Sequence, residues 1–178
     1  MTEVKPGSQP IGKRIRRWAV EGLILLLVLF LVHLWQTRDS IEGPSPPLSA
    51  RLISGQTFNL DVPRDKPLLV YFWATWCPVC TLTSEKIDEL ADNYTIVTVA
   101  MRSGNAEEIT AYLQKKDLHF PVIPDPQGRI SREWRVKGVP TLYFMDTSGD
   151  IRFVSVGYIS TLGMKARMWL TERLPASG

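Results

Sequence analysis

The spacing of apolar and polar positions changes several times along the chain, and each change marks an element. From Trp18 to Trp35 the chain reads WAVEGLILLLVLFLVHLW, apolar all round a helix and without formal charge from Gly22 to Trp35. A helix apolar on every side belongs to a bilayer or a deep core, and this run approaches the roughly 20 residues of a span. Trp18 and Trp35 suit the two interfaces. We read 18–35 as an uncleaved transmembrane anchor rather than a secretory signal, because no small-x-small cleavage site follows His33-Leu34-Trp35-Gln36. Residues 36–50, with the Pro- and Ser-rich DSIEGPSPPLS (Asp39 to Ser49), have no apolar period and read as a tether.

From residue 51 to 178 strand and helix signals alternate. Arg51 to Leu60 predicts a hairpin turning at Ser54-Gly55. Leu68 to Trp73 (LLVYFW) is an unbroken apolar run, as in a strand buried on both faces. A helix is expected from about Cys77-Pro78, with Leu82, Ile87, Leu90, Ala91 and Tyr94 inward, followed by a β-branched strand over Thr95 to Ala100. Asn105 and Glu108 have capping-box spacing, and Ile109, Tyr112 and Leu113 give that helix its stripe. His119 to Ile123 predicts a strand, Pro124 to Gly128 a turn, and Ile130 with Trp134 one face of a short helix. Two strands, Thr141 to Met145 and Ile151 to Val156, flank an Asp146 to Asp150 turn. A last helix over Thr161 to Leu174 is expected to face the sheet with Leu162, Ala166, Trp169 and Leu170. The order predicts an α/β domain, a mixed central sheet with helices on both faces.

Charge sharpens this picture. The net charge is +3, and all of it lies before Gln36: five Lys/Arg against Glu3 and Glu21, then sixteen of each sign afterwards. Basic residues before an apolar span keep the amino terminus in the cytoplasm and export the remainder of the chain. In a bacterium the exported side is the periplasm, where thiol–disulfide chemistry can operate. A neutral body carries no electrostatic footprint for nucleic acid. The two cysteines, Cys77 and Cys80, and two histidines, His33 and His119, are too few for a four-cysteine zinc site or a histidine-rich metal enzyme. No metal or other cofactor is expected.

The chemistry concentrates in Trp76-Cys77-Pro78-Val79-Cys80, directly after a buried strand and at a helix start. Two cysteines so spaced close a small ring with little backbone movement. The first sits where free helix N–H groups favour a thiolate, the attacking species in thiol–disulfide exchange. Pro78 suits the first helical position. We assign Cys77 as nucleophile and Cys80 as resolving thiol, together the redox-active pair. A structural disulfide would close too small a loop to stabilise much, and a zinc site would need two more ligands. Trp73 and Trp76 either shield the pair or pack the core. Arg129, Arg132, Arg135 and Lys137 read as a solvated basic face, and His119 as a structural histidine.

Three blocks, Phe72-Trp73-Ala74-Thr75-Trp76-Cys77-Pro78-Val79-Cys80, Gly138-Val139-Pro140-Thr141 and the Asp146 to Gly149 hairpin, resemble the thioredoxin-like proteins over about Arg51 to Leu174. With the anchor, the chain is similar to the membrane-tethered periplasmic thiol:disulfide interchange branch, most of all to its suppressors of copper sensitivity. The resemblance implies a thioredoxin-like fold, a cis Val139–Pro140 bond with Pro140 facing Cys77, and a substrate segment bound at Trp76, Val139 and Pro140, pairing with the Val139 backbone. It also implies protein thiol or disulfide substrates and a membrane electron-transfer protein as redox partner at the bacterial inner membrane. Two positions depart from the pattern. Tyr71 stands where thioredoxins place a buried aspartate, and Thr83 where the tethered reductases often carry glutamate, which leaves the base for Cys80 unassigned. Val79 supplies no charge where the periplasmic oxidases have histidine, so the Cys77 thiolate should be less favoured than theirs.

The expected function is membrane-anchored protein thiol:disulfide oxidoreductase, a reductase before an oxidase, with a link to copper tolerance. Two other classes stay open: a Cu(I)-binding tolerance protein using the two thiolates, and a tethered adaptor with an inert disulfide.

Overall fold

A computed structural model describes Trp18, residues 20–28, Leu31 and residues 43–173. The chain divides into two units, Met1–Arg38 and Asp39–Gly178. In the first, residues 20–28 are helical, and Leu23 to Leu27 expose their side chains. Most of the rest of the expected anchor, 18–35, lies outside the described residues. Among those described, no helix is long and apolar enough to cross a membrane.

The second unit is built on a six-stranded mixed sheet. In chain order the elements are β1 (Gly43–Pro44), β2 (Ser49–Arg51), β3 (Thr57–Asn59), β4 (Leu68–Trp73), α1 (Pro78–Ala91), β5 (Thr95–Met101), α2 (Ala106–Lys116), β6 (Val122–Asp125), α3 (Arg129–Glu133), β7 (Thr141–Met145), β8 (Asp150–Val156) and α4 (Thr161–Arg173). The sheet order is β1-β8-β7-β4-β5-β6, and β2 with β3 forms a separate hairpin. β4 pairs parallel with β5 and antiparallel with β7, so it lies at the centre. Its six residues are all buried, and their alternation divides the core in two. Leu69, Tyr71 and Trp73 pack with residues of α1, α2 and α4, whereas Leu68, Val70 and Phe72 pack with Ile130 and Trp134 and with Leu48 and Leu60 beside the hairpin. Helices thus cover both faces, as the element order predicted.

The structure moves several expected boundaries and faces. Gly43–Pro44, within the stretch read as tether, pairs with Ile151 and Asp150 at the sheet edge, and Leu48 is buried. The strand expected over His119 to Ile123 begins at Val122 and runs on to Asp125, because Phe120 is drawn into the core by edge-on contacts with Tyr71 and Trp73. On α1, Leu82 is 56% exposed and points away from the sheet. Burial of Cys80 sets that helix's rotation, so its inner face is Cys80, Thr83, Ser84, Ile87 and Leu90. Ala91 and Tyr94 are half-buried against that core. On α4 the inner face is Met164, Met168 and Thr171, not Leu162, Ala166, Trp169 and Leu170, all of which are exposed. The expected end of that helix at Leu174 lies outside the described residues.

Candidate active site

The chemistry stands at the carboxyl end of the central strand. After Trp73 the chain turns through Ala74, Thr75 and Trp76 and enters α1, with Pro78 in its first turn. Cys77 is the N-cap: its backbone is extended, and its Sγ accepts the N–H of Cys80 at 3.1 Å. Cys77 and Cys80 are joined in a disulfide, with Cα atoms 5.2 Å apart. Cys80 is fully buried, and Cys77 retains a small accessible area. Of the two cysteines only Cys77 is open to solvent at all, the asymmetry expected of an attacking and a resolving cysteine. No charged side chain among the described residues hydrogen-bonds the Cys77 sulfur, so the helix N-terminus is its main local source of thiolate stabilisation.

Sixty-two residues later, the loop before β7 returns to the same point. The Val139–Pro140 peptide bond is cis. The Val139 carbonyl oxygen lies 3.6 Å from Cys77 Sγ, while the Pro140 carbonyl accepts from Gly157 N–H at 2.8 Å. Among the described residues the Val139 N–H makes no backbone hydrogen bond, which leaves an edge open to an extended segment. Trp76, Val139 and Pro140 are thus brought around Cys77. Trp76 is 58% exposed, whereas Trp73 is wholly buried and donates from Nε1 to Thr98 Oγ1 at 3.0 Å. The two tryptophans part company: Trp73 packs the core, and Trp76 stands at the mouth.

Two supporting groups, Arg102 and Ser103, have no signal in the sequence. The loop after β5 braces the approach to Cys77. Thr75 N–H donates to Ser103 Oγ at 3.0 Å, and Trp76 Nε1 donates to the Arg102 carbonyl at 3.1 Å. Arg102 adopts a left-handed backbone, φ 48°, which turns that carbonyl toward the indole. Gly104 follows at φ 90°, where a Cβ would collide with the Glu108 carboxylate. That carboxylate closes the capping box by accepting Asn105 N–H at 2.8 Å. Beneath Cys80, the Tyr71 hydroxyl lies 3.3 Å from the Cys80 carbonyl oxygen and 3.2 Å from Ser84 Oγ. Burial pushes the Tyr71 phenol well above its ordinary range, so it is a neutral hydroxyl throughout the physiological interval. Thr83 donates to the Val79 carbonyl within its own helix, and Glu85 is exposed. The floor of the site is therefore hydroxylic, with no carboxylate bonded to it among the described residues.

His119 does not join the site. It lies ahead of β6, with ring Nδ1 3.2 Å from Asp88 Oδ2, and its backbone N–H donates to Asp88 Oδ1 at 2.6 Å. It borders a groove between Leu52–Ile53 and Leu118–Phe120, which touches neither cysteine. No group of three or more His, Cys, Asp or Glu among the described residues could hold a metal ion.

Comparison with known proteins agrees with this geometry. Residues 41–154 match the AhpC/TSA family. A thioredoxin-like protein of Haemophilus influenzae is 33% identical over 166 residues, 89% of this chain and 98% of its own. The thiol:disulfide interchange protein DsbE of Escherichia coli K12 is 26% identical over 170 residues, 86% of this chain and 89% of its own. Among solved structures, the exposed lipoprotein thioredoxin Etrx1 of Streptococcus pneumoniae superposes with a TM-score of 0.60 at 24% identity, over 70% of this chain and 99% of its own.

Proposed function

We propose that this chain, which belongs to the AhpC/TSA family and is a thioredoxin-like thiol:disulfide oxidoreductase, acts as a membrane-tethered reductase of protein disulfides on the exported side of a bacterial inner membrane. The observation that carries the reading is the Cys77–Cys80 disulfide at the start of α1 with cis-Pro140 and the Val139 backbone against its accessible sulfur. In the reduced enzyme the Cys77 thiolate attacks one sulfur of a substrate disulfide. A Cys77–substrate disulfide forms, and one substrate thiolate leaves. Cys80, deprotonated, then attacks Cys77 Sγ, which releases the second substrate thiolate and restores the Cys77–Cys80 disulfide. Two electrons pass to the substrate, and the Cys80 proton ends on a released sulfur. A dithiol donor, a membrane electron-transfer protein in this reading, returns the pair to its reduced state by the same exchange in reverse.

Two features support the reducing direction. The dipeptide between the cysteines, Pro78-Val79, carries no charge, and no cationic side chain contacts Cys77 Sγ among the described residues. A strong oxidant owes its potential to a stabilised reduced form, and this site has little to stabilise one. Equilibration of the full chain, held in detergent, with glutathione buffers tests it. A potential of about −270 mV supports a reductase, and one of about −120 mV overturns it in favour of a disulfide donor. Tethering rests on the charge-free run from Gly22 to Trp35 and the basic residues before it. Retention of the chain in membranes washed with alkaline carbonate supports it, and release overturns it. A link to copper tolerance rests on the resemblance and on the softness of two thiolates as donors. Titration of the reduced pair with Cu(I) under a competing chelator tests it.

A further inference from the structure

The charges of the exported domain cancel in number, but they are sorted in space. Acidic residues gather on α1 and its C-cap (Glu85, Asp88, Glu89, then Asp92) and on the first turn of α2 (Glu107, Glu108). The exchange site is instead bordered by cations on the side of α3. Arg102 holds the Trp76 indole through its carbonyl, and its guanidinium passes Gly128. Arg132 also reaches Gly128, where its Nη1 donates to the Gln127 carbonyl at 2.8 Å. Arg135 follows in a left-handed turn, φ 51°, and Lys137 lies two residues before Val139, whose carbonyl faces Cys77. All four side chains are exposed. Among the described residues Arg102, Arg132 and Arg135 form no ion pair with a carboxylate. Arg129 does, with Glu133 at 3.0 Å. The one buried carboxylate of this region, Asp125, is consumed by Ile130 N–H, Ser131 N–H and Ser131 Oγ.

These cations lie to one side of an apolar patch. Trp76 and Val79, 58% and 42% exposed, flank the disulfide, and Leu82 extends the patch along α1. An exposed indole with arginines to one side has the composition of a protein-docking surface, and it is continuous with the open edge at Val139. Cations on one border of such a patch select and steer a partner of opposite charge.

We propose that the exchange site docks an acidic protein segment: the redox-active cysteine of its partner is flanked by Asp or Glu side chains that meet Arg102, Arg132 and Arg135 while its backbone lies along Val139. This rests on the reading of the chain as a protein thiol:disulfide oxidoreductase. It assigns a binding role to a basic run that sequence alone leaves as a solvated helix face.

The test uses the reduced full chain in neutral detergent and three disulfide-closed peptides that differ only in flanking residues, Glu, Gln or Lys. At about 0.01 M salt, where charges act over about 30 Å, the Glu peptide should be reduced about tenfold faster than the Gln peptide, within the range of electrostatic steering. The Lys peptide should be slowest, and the ratios should shrink toward one at about 0.5 M salt, where screening is strong. The double variant Arg132→Glu/Arg135→Glu should lose or invert the Glu-to-Gln ratio, a quantity insensitive to how much of the variant is folded. Exchange with all three peptides at equal rates, or a ratio unchanged by the charge reversal, overturns the docking proposal and leaves the parent reading standing. Absence of exchange with every peptide removes both.

Discussion

Tyr71 and Ser84 offer the sharpest quantitative test of the floor beneath the active pair. The Tyr71 hydroxyl, on a fully buried ring, sits 3.3 Å from the Cys80 carbonyl and 3.2 Å from Ser84 Oγ, itself fully buried. Tyr71→Phe keeps the ring and its packing and deletes one oxygen. It removes a bond worth about 1 kcal/mol net and leaves a buried serine hydroxyl short of a partner, so its cost should be about 2 kcal/mol. Ser84→Ala leaves the phenol its Cys80 carbonyl and should cost about 1 kcal/mol. In the double variant neither hydroxyl is stranded. The total should stay at about 2 kcal/mol instead of about 3, a coupling of about 1 kcal/mol in a double-mutant cycle. Urea unfolding of the four oxidised proteins, with the slope checked for constancy, measures each value. Additivity within about 0.3 kcal/mol would show that the two hydroxyls do not act as a pair and would refute the hydroxylic floor.

Other outcomes are expected from single groups. Cys80→Ser should accumulate mixed disulfides through Cys77, seen on non-reducing gels and released by dithiothreitol. Their absence with Cys77 still alkylatable would falsify the assigned order of attack. Asp125→Ala strips three bonds from the start of α3 and leaves buried donors unmet, so it should cost about 3 kcal/mol in urea, and Asp125→Asn about half as much. A loss under about 1 kcal/mol would show the cap to be redundant. Through two buried phenols, stability should fall as pH rises above the ordinary phenol range. Burial raises Tyr71 and Tyr143 in the folded state, so above about pH 10 the unfolded chain binds fewer protons, and each group removes up to about 1.4 kcal/mol per pH unit. Tyr143→Phe, which deletes the bond to the Trp134 carbonyl, should shallow that fall. An unchanged slope would count against its burial as the cause.

The elements read correctly from sequence are those whose signal is local. β4 was legible residue for residue, because a strand covered on both faces has no polar position to blur its ends. The capping box at Asn105 and Glu108 was legible because both partners lie within one turn. α4 shows the opposite case. Leu162, Met164, Ala166, Met168, Trp169 and Leu170 occupy every side of the helix, so no period selects a face, and contact with β7 and β8 decided for Met164 and Met168. On α1 the expected Leu82 lost to Thr83 and Ser84, polar residues that burial of Cys80 turns inward.

By itself, then, the sequence determined the pair and its setting: two cysteines one helical turn apart, a proline to open the helix and a buried strand to aim it. Those are interactions within a few residues, and short-range geometry is written in spacing. Only the tertiary structure decided what faces the pair. It put the Val139 carbonyl beside Cys77 across 62 residues, turned the Arg102 carbonyl to hold Trp76, and left a tyrosine under Cys80. It also brought Arg102 and Arg132, from two separate stretches of chain, together at Gly128. Such contacts depend on strand order and on loops closed over long separations, which no local pattern of residues encodes.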